Sequence, residues 1–192
     1  MIIGLFGDSF GVQKLNQPFD GWVNLLSKHC NIVNHCQSGA SQYRILQQLK
    51  TANVDKFDQI IITHTSPSRL FVRSNPVHAN SEYHQNCDVI FTDVESRQDE
   101  FSRACQLYFK HIYDEEFNFD LHNLICQEID TKYKNNILHI THFDYDELYQ
   151  FPNMINFHNL WCSHRGSVNH YDQIGNYQVY KHLLDKLGLC NV

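Results

Sequence analysis

Four short apolar runs, each the length of a buried strand, most constrain how this chain can fold. A typical run is Gln59-Ile60-Ile61-Ile62-Thr63, which is bounded by turn-forming residues and favours a strand buried on both faces of a sheet. Helical periodicity follows each of the first three runs. Alternating strands and helices favour a parallel sheet with right-handed crossovers. The predicted strands are Met1–Phe6, Ile32–Cys36, Gln59–Thr63 and Ile137–Thr141.

The predicted helices account for most of the chain between these strands. Ser41 stands where it can cap a helix that carries Tyr43, Leu46 and Leu49 on one face. Two long helices are expected as an antiparallel pair between the third and fourth strands. The whole pattern predicts a three-layer α/β/α sandwich of flavodoxin-like type, with a mainly parallel sheet of four to five strands. The helices are expected from Trp22 to near Cys30, after Ser41, over Glu100–Tyr113 and Asp114–Tyr133, and from Tyr171 to near Gly188.

The length of 192 residues fits a single domain, 1–192, with a helical or loop insertion around 67–135. Within that insertion, 67–96 is rich in Asn, His, Ser and Pro, which favours a long loop or lid. The stretch 143–164 is aromatic and polar with little periodicity. We expect it to lie over the sheet edge that carries the first strand's end.

Charge and composition exclude several classes of partner. The formal net charge is -6 and the chain has no Lys/Arg-rich run, so a nucleic-acid partner is not expected. Neither a signal peptide nor an apolar stretch of about 20 residues is recognised. Seven scattered cysteines without a Cys-x-x-Cys pair favour reduced thiols, and the expected location is cytoplasmic. The oligomeric state is not indicated.

A serine stands at the end of the first predicted strand. Gly7 and Gly11 flank the turn that holds Ser9, and such a turn presents its side chain at the carboxyl edge of a sheet. A serine hydroxyl becomes a nucleophile only when a base accepts its proton and donors receive the oxyanion. His170, just before the last helical pattern, is the candidate base. Gly39, after the second strand, is the candidate amide donor.

These three stretches, in this order, resemble the motif blocks of the GDSL (SGNH) hydrolases, a family of esterases and lipases. Gly7-Asp8-Ser9 is similar to the nucleophile block, Ser38-Gly39 to an oxyanion block, and His170 with Gly175 to the base block. Two positions depart from the family pattern. Ser167 replaces the usual Asp three residues before the base, and the third block, Gly-x-Asn-Asp, is replaced by 63–69.

The departures leave two roles open. A backbone carbonyl, Asp172 or an acid of the loop 144–147 are the candidates for orienting His170. Thr65, Ser66 and Ser68 are candidates for the missing oxyanion donor beside the Ser9 and Gly39 amides, although Ser66-Pro67-Ser68 is also typical of a simple turn. His64 and His142 are expected to line one face together, and Arg69 is expected to hold an anionic group of the substrate.

The resemblance implies an ester hydrolase that acts, without a cofactor, on an acyl or acetyl ester of a small molecule or a glycan. No metal is expected, because His139 and His142 should point to opposite sides of a strand. One rival is a catalytically inactive binding protein of the same fold. A second is a nucleotide-binding protein, because Gly4, Gly7 and Gly11 superficially resemble a dinucleotide loop; the expected position of Gly4 inside a strand argues against it.

Overall fold

The computed structural model describes residues 1–13, 20–79, 85–133, 136–145, 147–166 and 170–189. Its centre is a five-stranded sheet whose neighbouring strands all pair in parallel. The strand order is β2-β1-β3-β4-β5, with the strands at Ile2–Gly7 (β1), Asn31–Asn34 (β2), Gln59–Thr63 (β3), Ile137–Thr141 (β4) and Met154–Asn156 (β5). This order is that of flavodoxin-like sheets, and the predicted three-layer α/β fold is confirmed.

The seven α-helices of the described residues cover both faces of the sheet. They are Trp22–Leu26 (α1), Gln42–Thr51 (α2), Phe91–Val94 (α3), Glu100–His111 (α4), Glu115–Lys132 (α5), His158–Ser163 (α6) and Gln173–Lys186 (α7). Helix α1 packs beside α7, and α2 packs beside α5. The two long helices α4 and α5 were expected to pair with each other. Instead α4 has its main contacts with the short helix α3.

Strand side chains alternate between two buried layers. Ile3, Leu5 and Ile61 belong to the core on the side of α1 and α7. Phe6, Ile60 and Ile62 belong to the core on the side of α2 and α5. This alternation follows from the period of two residues in a strand, and both layers are apolar because helices cover both faces.

Local signals set several helix starts. The Ser41 side chain accepts a hydrogen bond from Arg44 N, as its predicted capping role requires. Asp172 caps α7 in the same way, through Gly175 N. Helix α1 ends at Leu26, earlier than expected, and the chain continues to Cys30 through turns. None of the helices, within the part of the chain that the structure describes, has the length and apolar character needed to cross a membrane.

The topology determines where a site can form. From β1 the chain passes first to β2 on one side of it and then to β3 on the other side. In open α/β sheets, ligands bind outside the carboxyl ends of the strands at such a switch point, because the two connections diverge and leave a crevice. Ser9 follows β1 at this point, and the loop 64–70 follows β3.

Candidate functional site

A pocket of about 440 Å³ lies at the carboxyl ends of β1 and β3. The structure brings Ser9, Gly39 and His170 together in it, although they come from three distant parts of the chain. Aromatic side chains form part of its wall, and polar side chains of the loop after β3 form another. The remaining lining residues are Asp8, Phe10, Ser66, Ser68, Arg69, His78, Cys87, Ile90, Asp93, Phe143 and Trp161.

The turn that presents Ser9 is held by backbone contacts that only glycine permits at position 7. Gly7 has φ 142°, and a Cβ there would lie 1.9 Å from the Thr63 Oγ1 atom. Asp8 N donates to the same Thr63 hydroxyl at 3.2 Å, and Phe10 N donates to Asp8 Oδ1 at 3.0 Å. Ser9 therefore begins a short 3-10 turn whose direction is fixed on both sides.

Gly39 also has to be glycine. Its φ is 69°, and a Cβ would lie 2.6 Å from the Cβ of Cys87 and 3.4 Å from Nη1 of Arg69. The loop after β2 is thus pressed against two other pocket-lining residues. This close approach keeps the Gly39 backbone at the pocket surface.

His170 lies just before α7, half-buried, among aromatic rings. The centre of its imidazole ring is 5.2 Å from that of Phe10, the residue after Ser9. Phe10 in turn stacks on the buried His142 ring at 3.8 Å. The ring of His170 is therefore positioned by packing next to the Ser9 turn.

Asp172 is directed to partners other than the candidate base. Its carboxylate accepts from Gly175 N at 2.7 Å and lies 3.3 Å from His164 Nδ1. The Gly175 hydrogen bond holds the pKa of Asp172 below its usual value, with a smaller contribution from His164. The expectation that Asp172 orients His170 is corrected: this carboxylate caps α7 and contacts His164. Ser167, the other position that concerns the orienting acid, lies outside the described residues.

Of the oxyanion donors expected from the loop after β3, the structure places all but Thr65 at the pocket. Thr65 is only 1% exposed and is not among the residues that line the pocket. Ser66, Ser68 and Arg69 line the pocket instead. The Arg69 guanidinium lies beside Gly39, since a Cβ at Gly39 would be 3.4 Å from Arg69 Nη1.

His64 and His142 do not share a face. His64 hydrogen-bonds His139 and Gln42 on the α2–α5 side. His142 stacks on Phe10 on the other side. Because Thr63 pairs with Ile140 in the parallel register, His64 and His142 are offset by one residue, and their side chains point in opposite directions. Both are buried away from the pocket surface.

Asp8 belongs to the sequence motif, but no role was predicted for it. It is 3% exposed, and burial raises the pKa of its carboxyl to about 7, against the opposing effects of the Phe10 amide and the Arg69 guanidinium. The pocket thus contains a carboxyl group beside Ser9 that changes its charge near neutral pH.

Replacing Asp8 with asparagine is expected to stabilise the fold at alkaline pH. A raised carboxyl pKa means that the folded state binds more protons than the unfolded state between about pH 4 and pH 7, so its stability falls as the pH rises through that window. A pKa of about 7 corresponds to a cost of about 4 kcal/mol above pH 7. The asparagine variant removes this cost and retains an acceptor for Phe10 N.

Urea unfolding at pH 8 and pH 5 measures this effect. The gain in unfolding free energy for Asp8→Asn should be larger at pH 8 than at pH 5 by about 3 kcal/mol. Asp55→Asn, at an exposed position, serves as the control and should show no such difference. Equal gains at both pH values would contradict the raised pKa.

Three of the pocket-lining residues bring metal-binding atoms close together. The ligand atoms of His78, Cys87 and Asp93 all lie within 4.8 Å of one another. This group was not predicted from the sequence, where only the histidines late in the chain indicated a possible metal, because its spacing of nine and six residues matches no metal motif. No protein-family model matches the chain, and no curated protein has a significantly similar sequence. The geometry of the site is therefore the basis for any functional assignment.

Proposed function

We propose that this chain is a serine-dependent ester hydrolase. The observation that carries the proposal is the meeting of Ser9, Gly39 and His170 in one pocket at the switch point of the sheet. A nucleophile, a base and an amide donor are the groups that acyl transfer requires. Glycine geometry at positions 7 and 39 supports the roles of the two turns, because it places backbone at the pocket surface.

In the proposed reaction, Ser9 Oγ attacks the ester carbonyl while His170 accepts the hydroxyl proton. The oxyanion is stabilised by the Ser9 and Gly39 amides and by the Arg69 guanidinium. His170 returns the proton to the leaving alcohol, which leaves an acyl group on Ser9. Water, activated by the same imidazole, then releases the acid and restores Ser9.

The guanidinium of Arg69 suits a developing negative charge. Its Nη1 atom approaches the Gly39 Cα side of the pocket and donates to Asp88 O at 3.4 Å. A charged donor compensates for the asparagine of the resembled family that this chain lacks, because charge-assisted hydrogen bonds are about twice as strong as neutral ones. The same charge would attract a substrate with an anionic group.

The pocket favours a short acyl or acetyl ester. Its volume of about 440 Å³ is at the small end of the usual range for ligand pockets. Phe143 and Trp161 line it, and Arg165 stacks over the Trp161 ring at 4.0 Å. Flat aromatic surfaces pack against sugar rings, so an acetylated carbohydrate is the favoured class.

A fluorophosphonate probe tests the assignment, because it forms a covalent bond only with an activated serine. Wild-type protein should take up one label, mapped to Ser9 by peptide mass spectrometry. Ser66→Ala should label normally, since Ser66 lines the same pocket, whereas Ser9→Ala should not label. A label on another serine, or a wild-type protein that takes up no label, would contradict the hydrolase proposal.

A binding protein without catalysis is the second candidate. A serine hydrolase usually has an acid that fixes the tautomer of its base. The observation in favour of a binding protein is that Asp172, a candidate for that acid, contacts His164. If the wild-type protein neither labels nor hydrolyses an ester, the binding-protein candidate becomes the better one. Retained ligand binding in Ser9→Ala would then support it.

A further inference from the structure

The pocket wall contains a mixed set of metal-binding side chains. His78 lies within the turn that begins at Pro76, Cys87 lies two residues before Val89, which pairs with Leu70, and Asp93 belongs to α3. Nε2 of His78 is 3.9 Å from Oδ1 of Asp93, and all three ligand atoms lie within 4.8 Å of one another. All three residues line the pocket that holds Ser9.

The donor atoms indicate the class of ion. Sulfur, imidazole nitrogen and carboxylate oxygen together suit zinc and similar divalent transition metals, whereas magnesium and calcium prefer oxygen alone. In a tetrahedral zinc site with bonds of about 2.0–2.3 Å, ligand atoms stand roughly 3.3–3.6 Å apart. Bringing the three atoms to this spacing needs movements of about 1 Å.

One buried side chain holds two of the ligand segments. The Asn75 amide nitrogen donates to Cys87 O at 2.7 Å and lies 3.5 Å from Cys87 Sγ. Asn75 Oδ1 accepts from Val77 N, the residue before His78, at 2.9 Å. Outer-shell hydrogen bonds of this kind orient metal ligands. Asn75 is 2% exposed, so its geometry is fixed by packing.

The neighbour of Cys87 is anchored equally firmly. Asp88 is fully buried, and its two carboxylate oxygens accept from Arg44 Nη2 at 2.6 Å and Arg44 Nε at 2.9 Å. Asp88 also accepts from Ser41 N and Val72 N. The backbone that carries Cys87 is thus tied to α2 and to the loop after β3. A ligand on such a rigid segment loses little freedom when a metal binds.

We propose that His78, Cys87 and Asp93 bind one zinc-class divalent cation, with a further coordination position open to the pocket. Three protein ligands and one open position are typical of zinc sites that act on a bound molecule. Cys87 binds as the thiolate, and its thiol proton leaves to solvent when the sulfur–metal bond forms. The open position would take water or an oxygen of a pocket ligand. This site does not depend on the proposed function.

Titration of the apoprotein with Co²⁺ tests the site, because a thiolate ligand gives cobalt a sulfur-to-metal charge-transfer band. Wild type should show this band with a stoichiometry of one, and Zn²⁺ should abolish it by displacement. Ser9→Ala should behave as wild type, which separates this result from the fate of the hydrolase proposal. Cys87→Ser should lose the band, and Asp93→Asn and His78→Gln should each weaken cobalt binding at least about 10-fold.

Cys162 provides the control for adventitious binding. It is exposed, and its sulfur lies 3.4 Å from His158 Nε2, so it is the obvious competing Cys–His pair. Cys162→Ser should keep the charge-transfer band. The proposal is overturned if wild type shows no band, or if the band disappears in Cys162→Ser. If Cys87→Ser does not fold, unchanged binding in both Asp93→Asn and His78→Gln overturns it equally.

Discussion

Replacing Ser9 with alanine is expected to lower kcat for p-nitrophenyl acetate by a factor of about 10⁴ or more. The physical reason is that no covalent intermediate can form without the hydroxyl, and loss of the nucleophile alone costs about 10⁶ in kcat in a well-studied serine protease. Gly7 and Asp8 fix Ser9 at the pocket. The other residues of this turn have no hydroxyl group that could replace it. Initial rates with and without the protein measure the effect.

The matched control is Ser66→Ala, which removes a hydroxyl from the same pocket. Its kcat should stay within a few-fold of wild type. His170→Gln should lower kcat to nearly the level of Ser9→Ala, because residues that act as one catalytic unit give non-additive losses. The double variant should then be no slower than Ser9→Ala. Turnover that survives in Ser9→Ala would assign the nucleophile to another group.

The parts of the fold that could best be predicted from the sequence are the fully buried strands. Gln59–Thr63 and Ile137–Thr141 form β3 and β4 with the expected bounds, because strands buried on both faces appear as unbroken apolar runs. Met154–Asn156 was missed as β5. It is a three-residue edge strand with half-exposed side chains, so no apolar run marks it. Its pairing depends on the tertiary position of β4.

The candidate site divides in a similar way. Ser9 and Gly39 were identifiable because glycines mark turns at strand ends, and the structure gives both turns positive φ angles at Gly7 and Gly39. Asp172 was one of three candidates for orienting His170, although the sequence contained a signal for its actual contact. An aspartate three residues before a helical glycine is typical of an N-cap, and its carboxylate accepts from that glycine's amide.

Other contacts could not be predicted from sequence at all. The distance from His78 to Cys87 depends on Asn75, which bonds to both of their segments. Arg69 lies beside Gly39 because the loop after β3 pairs with a distant segment, through Leu70 with Val89 and through Arg69 with Asp88 O. Such contacts join residues whose spacing in the chain has no fixed period, so no sequence pattern encodes them.

Lowering the pH from 7 to 5 is expected to destabilise the folded protein by about 4 kcal/mol. Four histidines are buried in the neutral form, and burial is the main cause of their lowered pKa values. The pKa is lowered to about 4 for His122 and His139, to about 3 for His142, and well below its usual value for His64. The unfolded state therefore binds more protons than the folded state below about pH 6.5, and stability is lost as the pH falls.

The magnitude follows from the pKa shifts. At pH 5 each of His122, His139 and His142 costs about 2 kcal/mol relative to neutral pH, and His64 acts in the same direction. Asp8 changes the stability in the opposite direction. Because its pKa is raised, it stabilises the folded protein by about 2 kcal/mol as the pH falls from 7 to 5. The destabilisation by the buried histidines is therefore larger than the stabilisation by Asp8. A loss of this size is a large part of the 5–15 kcal/mol that is typical of domains.

His122 offers the sharpest test of this expectation. It is 5% exposed and its Nδ1 has no hydrogen-bond partner among the described residues, so His122→Leu removes a titrating group without breaking a bond at that atom. Urea unfolding of this variant should lose about 2 kcal/mol less than wild type between pH 7 and pH 5. His111→Gln, at an exposed position, should leave the loss unchanged. A wild-type protein as stable at pH 5 as at pH 7 would mean that these histidines are reached by water in the folded state, because only solvation of the charged imidazole removes the cost of protonating it.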